Sequence, residues 1–295
     1  MFVNDYQLRY EKYLATFENY ALKYMEQIHT RPEVLGDSMR YSLLSGGKRI
    51  RPVLALACAE VLGLADEIVL PFALALEMLH TYSLIHDDLP AMDNDDFRRG
   101  KPTNHKVFGE ANAILAGDAL LNESFAICLD ESMKGEKFTV AAKFLNECAG
   151  IYGMIVGQSA DMYYSQRTQD VSEEDLFYIY EHKTGKLILA PISIVSILAD
   201  SKYYLEFERF GKLLGRLFQM TDDILDVTGD FDELGKNVGK DEGKNKLTCI
   251  RIYGLEGAKI RADMCAKDCH AILEGIDGDT SFLHDLVDYV LNRKN

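Results

Sequence analysis

The stretch "PFALALEMLHTYSLIHDDL", Pro71 to Leu89, limits more than any other what this chain can fold into. Wound as a helix it is apolar nearly all round, and such a helix belongs at the centre of a bundle. Its surroundings have the sequence to build one. Tyr10, Tyr13, Leu14, Phe17, Tyr20, Ala21 and Tyr24 recur at three- and four-residue steps, one apolar stripe on a first helix. "RPEVLGDSMRYSLLSGG" reads as a short helix closed by Gly46 and Gly47, Pro52 opens the next, and Pro71 opens the central one. Further helices are predicted over 110–131, 136–165, 173–200 and 203–227, with shorter ones to the end. No run of alternating β-branched residues and no Ser/Pro-rich linker interrupts the pattern. The expected architecture is all-α, one large helical bundle with central apolar helices, over residues 1–295 as a single domain.

Of the 295 residues 47% are hydrophobic, enough for a large core. The formal charge of −15 and a pI near 4.9 exclude a nucleic-acid partner, which needs a basic surface, and a polybasic membrane contact. Any anionic ligand must be held by local cations or by metal, against the mean field of the protein. The opening "MFVNDYQLRYEKYL" lacks the apolar core of a signal peptide. The greasy run "LILAPISIVSILA" (Leu187 to Ala199) is too short to span a bilayer and reads as a buried helix, so no transmembrane segment is expected. Six scattered cysteines form no CxxC and pair with no histidine at zinc spacing. They read as reduced thiols of a cytoplasmic protein.

Against this background two acidic groups stand out. In "LIHDDLPAMDNDDFRRG", Asp87 and Asp88 end the apolar helix, with Asp93 beyond Pro90 and His80 two turns earlier on the Asp87 face. In "FQMTDDILDVTGD", Gln219, Asp222 and Asp226 share one face, with Asp223 beside them. Carboxylates near a helix C-terminus meet an already negative dipole and call for cations. Their oxygens suit hard divalent ions, magnesium above all, which is bound by one or two carboxylates together with substrate phosphates. A calcium loop over "DFDELGKNVGKD" fails on its own pattern, since Leu234 stands where an oxygen ligand is needed and Asp241 replaces the closing glutamate. No Ser/His or Cys/His arrangement offers a nucleophile.

Seven ordered motifs resemble the trans-isoprenyl diphosphate synthases, most nearly the bacterial branch that makes farnesyl diphosphate: "GGKRIRP" (46–52), "HTYSLIHDDLPAMDNDDFRRGKPTNH" (80–105), "FGEANAILAGDALL" (108–121), "GQSAD" (157–161), "HKTGKL" (182–187), "FQMTDDILD" (218–226) and "LGKNVGKD" (234–241). Terpene cyclases share only the first acidic motif; their second uses Asn, Ser and Glu. The resemblance implies an all-α isoprenoid synthase fold, a homodimer, and Mg²⁺-dependent condensation of isopentenyl diphosphate with dimethylallyl and then geranyl diphosphate. It implies three Mg²⁺, with Asp87, Asp93 and Asp222 as ligands and Asp88, Asp223 and Asp226 orienting bound water. Lys48, Arg51, His80 and Arg99 would hold the isopentenyl diphosphate. Arg98, Lys183, Thr184, Gln219 and Lys236 would contact the allylic diphosphate or steady the cation, the last four as catalytic residues.

Product length rests on Tyr82, five residues before Asp87 or roughly 7.5 Å of helical rise. In this family an aromatic there resembles the floor of the tail tunnel, with small Ser83 beside it, and the expected product is C15. Three alternatives remain: a C20 synthase, a non-catalytic subunit of a heteromeric synthase, and a divalent-ion buffer. Intact acidic and basic positions count against the subunit, and the paired basic residues against the buffer. His86 reads as structural.

Overall fold

The computed structural model describes residues 5–165, 171–228 and 246–293. Helix α1 (Asp5–Glu26) buries Tyr13, Phe17, Ala21 and Met25, a row at steps of four that is narrower than the predicted stripe. Helix α2 (Val34–Leu43) stops before its glycines; Gly46 and Gly47 instead carry the chain through left-handed backbone (φ 79° and 125°) toward α3 (Ile50–Val61). Pro52 sits in the first turn of α3, where an N–H has no helical partner anyway.

Helix α4 (Asp66–Asp87) is the predicted central helix, buried without a break from Val69 to Leu79. It begins more than a turn before Pro71. Asp66 and Glu67 occupy its first turn, where the dipole favours carboxylates, and Pro71 forfeits one backbone hydrogen bond near the helix start. With a mean hydropathy of 1.6 over its most apolar window, α4 is long and apolar enough to cross a membrane, yet 78% of that window lies buried inside the protein. The surface that lipid would cover is already covered by helices.

After α4 come two-residue strands, β1 (Phe97–Arg98) and β2 (Lys101–Pro102), paired antiparallel. Their turn, Arg99 and Gly100, has positive φ at both positions (53° and 74°), as a tight two-residue hairpin requires. Next are α5 (Asn104–Phe108), α6 (Glu110–Ser132), α7 (Glu136–Ala149) and α8 (Met154–Ser165). The single helix predicted over 136–165 is thus two helices. The break ends at Gly153, where a Cβ would lie 1.9 Å from the Cys148 carbonyl oxygen. The helix predicted over 173–200 is divided as well. Helix α9 (Glu173–Ile179), capped at both Ser172 and Asp175, widens into a π-helix (Tyr180–Gly185) before α10 (Lys186–Leu198). Helix α10 is buried almost throughout and carries Pro191 within it. Helices α11 (Tyr204–Thr228), α12 (Cys249–Leu273, interrupted at Gly254) and α13 (Ser281–Asn292) complete the described fold.

Two compact units emerge, Met1–Ala142 and Lys143–Asn295. In the first, α4 is packed by α1, α2, α3 and α6; in the second, α11 is packed by α10, α12, α13 and the π-helix. The acidic groups fall one to each unit.

Candidate active site

In the first unit Asp87 is the last residue of α4, and the chain folds back over that end. The Asp93 N–H donates to the Asp87 carbonyl at 2.8 Å and the Asp95 N–H to the Asp88 carbonyl at 3.2 Å. The turn satisfies carbonyls that a helix end leaves open and returns Asp93 to the level of Asp87. Asp87 and Asp93 are half-buried, whereas Asp88 is 3% exposed. Asp88 is gripped by Arg98 through Nε at 2.8 and 2.9 Å and Nη2 at 2.6 Å. Burial raises the Asp88 carboxyl above its ordinary value, and Arg98 opposes that rise. Arg98, assigned to an allylic diphosphate by resemblance, therefore already holds a carboxylate.

The basic residues gather two turns back along α4. His80 lies close enough to Arg51, Arg99, Arg98 and Arg49 for all four to act on it. Burial first, then these guanidiniums, push its imidazole well below 6.5, so it is neutral at pH 7. Arg99 is anchored by a bond from Nη1 to the Gly46 carbonyl. A Cβ on Gly47 would come within 2.9 Å of the Arg99 guanidinium carbon, and the positive φ of 125° there also favours glycine, so "GGKR" and "RRG" pack closely at that position. Lys48 is half-buried, its carbonyl accepting from the Tyr10 hydroxyl. Arg49, to which the sequence reading gave no role, turns inward and bonds Glu18 at 2.7 Å and Glu77 at 2.8 Å, fixing the loop to α1 and α4. A small open concavity between α2, α4 and the hairpin is lined by Asp88, Arg98 and Arg99; Lys48, Arg51 and His80 are not in its wall.

Tyr82 is 5% exposed and meets the His86 ring edge-on at 5.7 Å; its hydroxyl finds no hydrogen-bond partner among the described residues. Ser83 donates back to the His80 carbonyl at 2.8 Å. His86 lies 3.1 Å from the Ile114 carbonyl and packs on Gly117, where a Cβ would sit 2.1 Å from its Nε2, a structural role as read.

In the second unit the π-helix carries Lys183 and Thr184. It is held by close approaches that only glycine allows: a Cβ at Gly157 would lie 2.0 Å from the Lys183 amide nitrogen, and one at Gly215 would lie 2.7 Å from the Gly185 Cα. "GQSAD", "HKTGKL" and α11 are thereby locked together, and Lys183 pairs with Asp161. A chain of bonds follows. Thr184 Oγ1 donates to Gln219 Oε1 at 2.8 Å, and Gln219 Nε2 donates to Asp223 Oδ1 at 3.2 Å. Asp223 Oδ2 accepts from the Tyr180 hydroxyl and, at 2.7 Å, from the Cys249 N–H at the start of α12. Asp223 and Asp226 are buried, while the Asp222 side chain is 38% exposed and bonded at 2.6 Å by Arg293, whose guanidinium carbon lies 4.0 Å from the Phe218 ring centroid. Sequence reasoning does not find Arg293, Tyr180 or Asp161, because each lies far in sequence from its partner: Asp222, Asp223 and Lys183. Lys236, with Lys240 and the motif around them, lies outside the described residues.

Among the described residues no three His, Cys, Asp or Glu side chains are set up to cage a metal unaided. That fits magnesium, which dehydrates reluctantly and takes one or two carboxylates plus phosphate oxygens. Asp87, Asp93 and Asp222 are partly exposed carboxylates of the kind it uses.

Helices of this order, with aspartates ending an apolar core helix and a π turn between two helices, define an all-α isoprenoid synthase. The chain belongs to the polyprenyl synthetase family, which residues 32–272 match, and it is a prenyltransferase. It is 43% identical over 283 residues to the farnesyl diphosphate synthase of Bacillus subtilis (strain 168), covering 94% of this chain and 95% of that protein. It is also 43% identical over 269 residues to geranylgeranyl pyrophosphate synthase 7, chloroplastic, of Arabidopsis thaliana, covering 90% of this chain and 78% of that one. A solved geranyltransferase from Helicobacter pylori, complexed with magnesium and isoprenyl diphosphate, superposes with a TM-score of 0.83 at 31% identity, covering 99% and 98% of the two chains.

Proposed function

We propose that this chain is a farnesyl diphosphate synthase, condensing isopentenyl diphosphate head-to-tail with dimethylallyl and then geranyl diphosphate. The observation that carries the reading lies within the first unit. One apolar helix ends in a folded-back pair of carboxylates, Asp87 and Asp93, and carries a neutral His80 among arginines two turns away. Such a helix offers one place for a metal-bound diphosphate and another for a diphosphate held by cationic donors alone.

Asp87 and Asp93 would hold magnesium on the first acidic group and Asp222 on the second, three ions in all, to bind allylic diphosphate. Bound there, magnesium supplies the positive charge that stabilises the pyrophosphate leaving group. Asp88, Asp223 and Asp226 orient bound water or fix their neighbours; the Arg98 grip on Asp88 and the Tyr180 and Cys249 bonds to Asp223 support the second task. The allylic C–O bond ionises, the isopentenyl double bond attacks the cation, and a proton leaves, passing to the departing pyrophosphate. Lys183, Thr184, Gln219 and Lys236 steady the cation and the leaving group, and Arg98 turns from Asp88 to the allylic diphosphate. Lys48, Arg51, His80 and Arg99 position the isopentenyl diphosphate by direct hydrogen bonds.

Tyr82 is the floor that stops the tail at C15, a reading supported by its burial beside α4's last turns. The Arabidopsis resemblance keeps a C20 product as the second reading. One domain of the matched family spans residues of both units, two copies of the chain pair, and the protein works in the cytoplasm. Exposed Ile114, Leu115, Leu129 and Met133 on and just after α6 support pairing, and six free buried cysteines support a reducing compartment. Incubation with isopentenyl and dimethylallyl diphosphates, with and without Mg²⁺, and sizing of the products tests the reading. Farnesyl diphosphate formed only with Mg²⁺ is expected; no condensation under any condition overturns it.

A further inference from the structure

Away from these residues, the last turn of α12 and the first turn of α13 bring two imidazoles together. The rings of His270 and His284 lie 5.0 Å apart, within 5° of parallel, with their Nδ1 atoms 2.7 Å from each other. Behind them His270 Nε2 lies 3.1 Å from Asp288 Oδ1. A carboxylate accepts but does not donate when ionised, so His270 keeps its proton on Nε2 and turns its Nδ1 lone pair toward His284. His284 must then carry its proton on Nδ1, between the two rings. A histidine that gives one N–H to a carboxylate and points its other nitrogen at a partner imidazole is the arrangement by which proteins orient metal-ligating histidines.

We propose that His270 and His284 form a binding site for a divalent transition-metal cation of the zinc class, with Asp288 as the residue that orients His270. Two Zn–N bonds at a tetrahedral angle hold their nitrogens roughly 3.3 Å apart. The centroid and Nδ1 distances set the two rings nearly head-on, so exchanging the bridging proton for the metal asks them to part slightly and to swing until both lone pairs meet at the metal. His270 keeps Nε2–H on Asp288 and binds through Nδ1. His284 moves its proton from Nδ1 to Nε2 and binds through the freed Nδ1, so the proton count is unchanged. The strongest charges acting on His284, besides His270, are those of Glu274, Asp288 and Asp285, all acidic, which favours a cation. Both histidines are half-buried and so within reach of solvent. Two protein nitrogens leave the remaining positions to water, in keeping with the absence of a three-residue cage among the described residues. Imidazole nitrogen suits zinc, copper or nickel and serves magnesium poorly, so the site is chemically separate from the acidic groups.

Calorimetric titration of the full chain with Zn²⁺, in excess Mg²⁺ to occupy the carboxylates, tests the proposal. One zinc per chain is expected, lost in His284→Ala and weakened about 10- to 100-fold in Asp288→Asn, with Mg²⁺-dependent prenyl transfer unchanged in both. Should His284→Ala fold poorly, His284→Gln replaces it, and ¹⁵N spectra of the wild-type histidines give an independent reading: zinc must shift both Nδ1 resonances. Zinc binding of equal strength in wild type and variant, no zinc binding in excess Mg²⁺, or unmoved histidine resonances would overturn it.

Discussion

Tyr82, proposed as the floor of the tail tunnel, carries a cost for the fold. Its hydroxyl is buried without a partner among the described residues, an arrangement that costs about 1–3 kcal/mol. Tyr82→Phe removes that cost and keeps the ring, so thermal unfolding should shift upward or stay level while the product remains C15. Tyr82→Ala should lengthen the product toward C20; a C15 product from that variant removes Tyr82 from the role of floor. Arg293 presents the opposite case, a cation parked on Asp222, a carboxylate assigned to magnesium. The metal must compete with the guanidinium. Arg293→Met leaves an unbranched apolar side chain there and removes the charge from the acid. The Mg²⁺ concentration for half-maximal turnover should then fall, by roughly three- to tenfold for one charge-assisted bond on a partly exposed carboxylate. An unchanged requirement would show that the pair is not displaced when metal binds.

Among the elements, the π-helix depends most on its neighbours. It sits between α9 and α10, which periodicity alone reads as one helix, because six residues bonded i→i+5 are too few to set a period of their own. What fixes it is tertiary: the Gly157 and Gly215 approaches, and the paired bonds of Glu181 with Arg216. Gly157→Ala would drive a Cβ into the Lys183 backbone. Overpacking of this kind costs typically about 1–3 kcal/mol, and turnover should fall more than stability alone explains, since Lys183 and Thr184 ride on the displaced backbone. Full turnover in a stably folded Gly157→Ala protein would contradict that. The other elements differ in how plainly the sequence announces them. Central α4, buried α10 and the acidic end of α11 follow directly from apolar runs and carboxylate spacing. The hairpin at Arg98 and Arg99 does not, because an arginine with positive φ is no hairpin signal; it is held there by Gly46 and Asp88. For the same reason the acid and base types were legible but their partners were not. Asp88 with Arg98, Lys183 with Asp161 and Asp222 with Arg293 are pairings that only folding decides.

For the whole molecule, two half-buried histidines contribute to the acid limb of stability. His80 is depressed by burial and by arginines, and His284 by burial and His270, so both titrate below 6.5 in the folded chain. The unfolded chain binds these protons first, and stability must fall as pH drops below about 6.5. The slope is up to about 1.4 kcal/mol per pH unit for each histidine. His80→Gln should flatten that limb in urea unfolding between pH 5 and 7, whereas an unaltered slope would mean that His80 titrates normally. The wider claim is that Asp87, Asp93 and Asp222 are carboxylates through which magnesium holds a prenyl diphosphate. A crystal structure of the chain grown with Mg²⁺ and a non-ionising analogue of dimethylallyl diphosphate tests it most directly. Magnesium on each of these three aspartates, with each ion also bound to diphosphate oxygens, is the expected result. A bound diphosphate with no magnesium on these aspartates would contradict it.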